Sequence, residues 1–188
     1  MSVDQIVQLI QSAIQFGTVI LFGAMGEILT EKSGNLNLGV PGIMYLGGIA
    51  GLAASFFYEF NNPDPSGFVC LVISLLAAFA ASALGGLLYS FLTITLRANQ
   101  NVTGLALTIF GTGVGQYIGE FMRVREGTYV AVSNTLKGAF NGSPFPVFLQ
   151  ELPVVGRLLF SHSIFTYLGI AMACLLYTSP SPRDPKTS

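Results

Sequence analysis

Residues 67–96 read GFVCLVISLLAAFAASALGGLLYSFLTITL, thirty consecutive residues without a charged side chain. A helix needs about 20 predominantly apolar residues to cross the hydrocarbon core of a bilayer. A run of this length therefore predicts a membrane-spanning helix that tilts or extends beyond the bilayer.

Three other windows also lack charge and are long enough to span a bilayer: residues 5–26, 33–58 and 98–119. A further apolar run starts near Ile164 and ends at Tyr177, which is too short to cross at about 1.5 Å of helix rise per residue. We therefore predict an all-α fold, a polytopic α-helical membrane protein with four complete spans and part of a fifth. A long loop is expected from Arg123 to Ser163.

The composition supports a membrane protein. Only 9% of the 188 residues are charged, 52% are hydrophobic, and the mean hydropathy is +0.66. Soluble domains carry roughly 25% charged residues, so membrane lipid is the expected surrounding of this chain. A net charge of −1 without a basic stripe excludes nucleic acid as a partner. Cys70 and Cys174 give no metal-ligand spacing, and neither a metal nor another cofactor is expected.

The charges in the short links predict the orientation of the helices. Lys32 and Arg97 mark one side of the membrane, and the acidic 59–67 turn marks the other. This places the N-terminus outside and the links at 31–37 and 97–101 in the cytoplasm. The long loop then lies outside, although it carries more basic than acidic residues.

Glu27 is a carboxylate near the end of the first apolar window. An ionisable group in a membrane segment is a candidate functional residue. Glu27 also lies close to the interface, where a carboxylate could reach water or bond to a neighbouring helix. Both a role in the substrate path and a structural role are consistent with this position.

The stretch SGNLNLGVPG, residues 33–42, supplies two further candidates. Gly34 can end one helix and Pro41 can start the next. Asn35 and Asn37 could satisfy loose backbone groups in an unwound segment at the substrate path. The alternative is an ordinary cytoplasmic hairpin.

The stretch RANQN, residues 97–101, places three amides beside an apolar window. Amides exposed to lipid are costly, so Asn99, Gln100 and Asn101 should face protein or water. They are suited to hydrogen-bonding a neutral polar solute. The alternative is that they cap the following helix at the interface.

Small residues four apart predict close helix packing, because backbone contact takes the place of the hydrophobic effect between helices in lipid. The pairs are Gly47/Gly51, Ala81/Gly85, Gly111/Gly115 and Gly115/Gly119.

These motifs together resemble one family. Residues 26–44, GEILTEKSGNLNLGVPGIM, are similar to the signature of ABC importer permeases of the simple-sugar, nucleoside and branched-chain amino-acid class. Residues 96–107, LRANQNVTGLAL, and 152–160, LPVVGRLLF, are similar to its nucleoside-type branch. The resemblance covers roughly residues 10–173. Many members have Glu where this chain has Pro41, so no charged role is carried over to that position.

The resemblance implies a truncated permease subunit of an ABC importer in the bacterial inner membrane, which forms the path for uptake of a nucleoside or a simple sugar. It implies three protein partners: a second permease subunit, a separate ABC ATPase subunit that supplies the energy, and an extracytoplasmic substrate-binding lipoprotein. The permease itself is then not an enzyme. The candidates for its substrate path are Glu27, Asn35, Asn37, Asn99, Gln100 and Asn101.

Residues 174–184, CLLYTSPSPRD, resemble one reading frame of a transposon-derived sequencing-library adapter. On that interpretation residues 1–173 are an incomplete transmembrane permease domain and residues 174–188 are a non-native tail. The alternative is a genuine polar tail that follows a short interfacial helix.

Two other functions remain open from the residues alone. Half of an ion-coupled secondary transporter would use paired intramembrane charges, and the sequence offers Glu27 and Glu120 near the ends of spans. A structural membrane protein without a transport role is the other alternative.

Overall fold

The computed structural model describes residues 2–127 and 130–178. Regular structure within these residues is helical, which confirms the predicted all-α class. The helices are α1 (Val3–Lys32), α2 (Val40–Asn61), α3 (Gly67–Ser90), α4 (Gln100–Glu126), α5 (Asn134–Asn141), α6 (Val147–Gln150), α7 (Val155–Leu159) and α8 (Ile164–Thr178). A π-helical turn, Phe91–Thr95, continues α3. The chain forms two compact units, Met1–Ser33 with Asn141–Ser188, and Gly34–Phe140.

Three helices are long and apolar enough to cross a membrane: Val3–Lys32, Val40–Asn61 and Gly67–Thr95. They coincide with the first three predicted windows. The prediction of a multi-pass α-helical membrane protein is therefore confirmed.

The fourth predicted span, 98–119, forms α4, but α4 is not among the helices apolar enough to cross a membrane. Its 27 residues are long enough. The hydropathy of α4 is lower than that of the other three helices, because glycines, threonines and Gln116 take the place of larger apolar residues. The length of α4 is that of a membrane-spanning helix, so a fourth span in this region stays a prediction.

The predicted loop from Arg123 to Ser163 also needs correction. The helix α4 extends to Glu126, and the chain after it contains α5, α6 and α7. The run at 142–146 lies outside these helices, as its prolines predicted.

The short apolar run that starts at Ile164 is confirmed as α8, which has 15 residues. Residues 179–188 of the predicted non-native tail lie outside the described residues. The boundary at Ala173 stays a prediction.

In the unit of Gly34–Phe140, α2 packs against both α3 and α4 through glycines. Toward α3, a Cβ added to Gly51 would lie 3.2 Å from the carbonyl oxygen of Ser74. Toward α4, a Cβ added to Gly111 would lie 2.7 Å from the Cα of Gly42, closer than real Cβ atoms come. These contacts confirm the close packing predicted from the small-residue pairs.

The helices α2 and α4 run parallel, and their contacts show which residues lie at the same level. A Cβ added to Gly115 would lie 3.1 Å from Cε1 of Tyr45. Further along, the guanidinium carbon of Arg125 lies 5.8 Å from the centre of the Phe57 ring. The C-terminal half of α4 therefore lies beside the middle of α2, a helix long and apolar enough to span the membrane.

In the other unit, α1 and α8 also run parallel. The Thr18 hydroxyl donates to that of Thr166 at 3.2 Å. Closer to their C-terminal ends, the Lys32 ammonium donates to the carbonyl oxygen of Leu176 at 3.1 Å. A cation at the C-terminus of a helix interacts favourably with its dipole, so Lys32 helps to stabilise the end of α8.

Contacts within each unit agree with the predicted grouping of the links by side of the membrane. The contacts are the Asp4–Arg157 ion pair, the Gln100–Asn35 hydrogen bond and the Ser133–Glu59 hydrogen bond. Each joins two segments that the charge pattern assigned to one side. Which side is cytoplasmic stays a prediction.

We expect Gly111→Ala to destabilise the protein by about 1–3 kcal/mol, because the added methyl group has no room beside Gly42. The matched control is Gly113→Ala on the same helix, where a Cβ would meet nothing within 4 Å. That control should be neutral or gain up to about 1 kcal/mol of helix propensity. The measurement is the thermal unfolding midpoint of each variant in detergent, and equal midpoints for both would contradict the close contact.

Candidate functional site

Residues 34–39, here called the linker segment, lead into α2 without helical structure. Gly34 has a φ of +90°, which glycine adopts without the steric penalty of other residues. Pro41 lies in the first turn of α2. The predicted ends of the two flanking helices are therefore confirmed.

Side chains from α3 and α4 satisfy the backbone of the linker segment. The Tyr89 hydroxyl donates to the carbonyl oxygen of Leu36 at 2.7 Å. The Thr108 hydroxyl donates to the carbonyl oxygen of Leu38, also at 2.7 Å. The Leu36 N–H donates to Oε1 of Gln100 at 3.2 Å. Backbone groups outside helices need such partners wherever protein covers them.

The predicted site residues Asn35, Asn37 and Gln100 belong to this network. Nε2 of Gln100 donates to Oδ1 of Asn35 at 2.8 Å. Asn37 is 5% exposed, and its Oδ1 accepts the N–H of Gly39 at 2.9 Å. The fold thus brings together two polar stretches that lie more than sixty residues apart in the sequence.

The close approach of α4 to the linker segment depends on Gly104. A Cβ at this position would lie 2.8 Å from the backbone nitrogen of Leu38 and 2.9 Å from that of Gly39. A larger residue would push α4 away and lengthen the hydrogen bonds from Gln100 and Thr108.

Asn99 acts as the N-cap of α4. Its Oδ1 accepts the N–H groups of Asn101 at 3.0 Å and of Val102 at 3.2 Å. For Asn99 the structure therefore shows the capping arrangement, one of the two alternatives left open by the sequence. The Asn101 side chain is exposed on the first turn of α4.

Glu27 lies in the other unit, partly buried near the C-terminal end of α1. Its backbone carbonyl accepts the Thr30 hydroxyl at 2.8 Å. A role for Glu27 in the substrate path stays a prediction, and so does such a role for the five amides.

The sequence analysis missed Tyr89 and Thr108, the two hydroxyl donors to the linker segment. Tyr89 is 6% exposed, which is unusual for a tyrosine in a helix whose outer face meets lipid. The sequence does contain a signal for Tyr89, because a tyrosine hydroxyl within an apolar span needs a hydrogen-bond partner when it is buried. The neighbouring residues do not show which group that partner is.

An apolar cleft of about 350 Å³ lies where α2, α3 and α4 meet. Its walls include Leu46, Leu84, Leu88, Phe110 and Val114. Side chains of this kind cannot hydrogen-bond a polar solute, so the cleft does not suit such a ligand.

Comparison of the sequence with known proteins identifies a matching family and several relatives. The family described as "Branched-chain amino acid transport system / permease component" matches residues 9–181. The guanosine ABC transporter permease protein NupQ of Bacillus subtilis is 29% identical, over 92% of this chain and 52% of its own length. The nucleoside ABC transporter permease protein NupC of Lactococcus lactis is 25% identical, over 90% of this chain and 50% of its own.

A third relative is TsgC13 of Haloferax volcanii, a proposed glucose ABC transporter permease protein. It is 27% identical, over 86% of this chain and 44% of its own length. The chain thus spans about half the length of the curated relatives that it matches. No solved structure is significantly similar to it.

We expect Tyr89→Phe to loosen the linker segment, because it removes the hydroxyl that hydrogen-bonds the partly buried Leu36 carbonyl. Loss of such a bond costs about 1–3 kcal/mol, so amides of the linker segment should exchange hydrogen for deuterium about tenfold faster or more. The control is Tyr117→Phe, whose ring is 73% exposed. Unchanged exchange in Tyr89→Phe, measured by mass spectrometry in detergent, would contradict the anchoring role.

Proposed function

Because the chain belongs to the family of branched-chain amino acid transport system permease components, we propose that it is a permease component of an ABC importer. In this proposal it forms the path by which a small polar solute crosses the bacterial inner membrane. The observation that carries the proposal is the family match over residues 9–181.

A nucleoside is the proposed substrate, with a simple sugar as the second choice. The support comes from the relatives, since NupQ and NupC are named for guanosine and nucleoside transport and TsgC13 for glucose. These solutes share uncharged rings that carry several hydroxyl groups.

The proposed partners are a second permease subunit, an ABC ATPase subunit and an extracytoplasmic substrate-binding lipoprotein. In this arrangement the permease alternates between outward-open and inward-open states, and ATP hydrolysis takes place on the separate subunit. Coupling requires the ATPase and the loaded receptor each to favour one of the two states.

The linker segment and the first turn of α4 hold polar side chains next to one another, at the two links that are predicted to lie in the cytoplasm. We propose that Asn35, Gln100 and Asn101 stand at the cytoplasmic mouth of the path, and that Asn37 and Asn99 hold the backbone there.

The experiment is an uptake assay with the complete gene that contains this sequence, expressed with its neighbouring ATPase and lipoprotein genes. The host is a bacterium without nucleoside uptake. We expect accumulation of radiolabelled guanosine that stops when the P-loop lysine of the ATPase is replaced, because the permease has no energy source of its own. Cells without the permease gene are the control.

Two outcomes would contradict the proposal. Uptake that persists without ATPase activity but collapses when the proton gradient is dissipated would identify an ion-coupled transporter. Absence of uptake for guanosine, glucose and leucine alike, with all subunits present in the membrane, would favour a structural role.

A further inference from the structure

The helix α4 carries different chemistry on its two flanks. Its central face packs against α2 through Gly111 and Gly115. On one side of that face, Phe110 and Val114 line the apolar cleft beside α3. Polar residues four apart occupy the other side, and we call them the polar flank: Thr108, Thr112, Gln116 and Glu120. Residues four apart share one side of a helix, so these side chains line up, with the exposed Leu105 and Ile109 beside them toward the N-terminal end of α4.

The polar flank lies at the depth of a membrane-spanning helix. The contact of Gly115 with Tyr45 and that of Arg125 with Phe57 set α4 beside the middle of α2. Gln116 and Glu120 come between these two levels. They therefore stand beside the apolar part of α2, away from its ends.

The stripe ends in a charged pair, which lies toward the C-terminal end of α2, before the level of Phe57. Nε of Arg123 donates to Oε2 of Glu120 at 2.8 Å, and both side chains are more than half exposed. Gln116 is exposed as well. Charged and amide groups at membrane depth almost always face a water-filled cavity or other protein, because hydrocarbon cannot solvate them.

The exposed face of α3 shows the opposite chemistry. Its exposed side chains are apolar along the length of the helix, and they include Phe68, Leu76, Phe79 and Leu87. Lipid suits such a face. Within one compact unit, α3 is therefore built for lipid contact and the polar flank of α4 is not.

Resting on the permease function above, we propose that the polar flank of α4 lines the aqueous part of the substrate path and binds a neutral, hydroxyl-rich solute. The Gln116 amide can both donate to and accept from hydroxyl groups. The hydroxyls of Thr108 and Thr112 donate to the backbone carbonyls of Leu38 and Thr108, so their oxygens are left to accept from a ligand. Glu120 and Arg123 neutralise each other, so the stripe presents no net charge to its ligand.

Tyr45 adds an aromatic surface next to the stripe. Its ring is half exposed and lies against Gly115. Gly115 precedes Gln116 in the chain and follows Thr112 by three residues. Pockets for small molecules combine apolar rings with a few well-placed polar groups. A ring beside hydroxyl and amide groups suits the flat faces of a sugar or nucleoside.

Cysteine accessibility in membrane vesicles tests this proposal. The complete transporter is prepared with Cys70 and every other native cysteine replaced by alanine, and then with Gln116→Cys. The matched control is Tyr117→Cys, since Tyr117 is its chain neighbour, is 73% exposed and lies on the other flank of α4. The probe is a charged, water-soluble methanethiosulfonate, which reacts with thiols in water and not with thiols in lipid.

We expect Q116C to react at least about tenfold faster than Y117C, because the charged probe partitions poorly into hydrocarbon. Guanosine or glucose should slow the reaction, and leucine should not. A second variant, Thr112→Cys, should behave like Q116C, so the result does not depend on one substitution.

Equally slow reaction of Q116C, T112C and Y117C would show that the stripe packs against other protein, and would overturn the proposal. Protection by leucine alone would overturn the neutral, hydroxyl-rich class of ligand. Thiol labelling does not require transport, so the two proposals can fail separately. If Q116C does not react but the transporter still takes up guanosine, this inference is wrong and the permease function stands. Fast, guanosine-protected labelling in a complex that transports nothing would support the stripe and count against the permease function.

Discussion

Backbone contact between α2 and α4 at Gly42 and Gly111 is the interaction on which the unit of Gly34–Phe140 depends. Between helices in a membrane the hydrophobic effect gives little attraction, because lipid is as apolar as the side chains. Close backbone approach supplies van der Waals contact in its place. Glycine is required here because a Cβ on either residue would overlap the other helix.

Three features follow from that contact. It sets the depth of α4, so that its polar residues stand beside the apolar part of α2. It brings Gly104 against the linker segment, within reach of the hydrogen bonds from Gln100 and Thr108. It also leaves one flank of α4 to the apolar cleft with α3 and the other to the polar residues.

The polar groups of this unit divide into two kinds. Some side chains hydrogen-bond the backbone of the linker segment, namely those of Tyr89, Thr108 and Gln100. Between α2 and α3, Ser55 and Ser74 hydrogen-bond each other. Gln116 and the Glu120–Arg123 pair stand exposed at the same depth. Groups of the first kind hold the fold together. Groups of the second kind are costly unless water or protein faces them, which is why they point to function.

The sequence by itself determined the membrane class, the first three spans, the short α8 and the glycine and proline at the ends of the linker segment. These features depend on composition and local chain geometry, both of which are written in neighbouring residues. Only the tertiary structure decided that Asn35 meets Gln100, that Tyr89 anchors Leu36, and that Glu120 and Arg123 lie beside α2 between the levels of Tyr45 and Phe57. Partners so distant in the chain are chosen by how helices pack, and no local pattern records that choice.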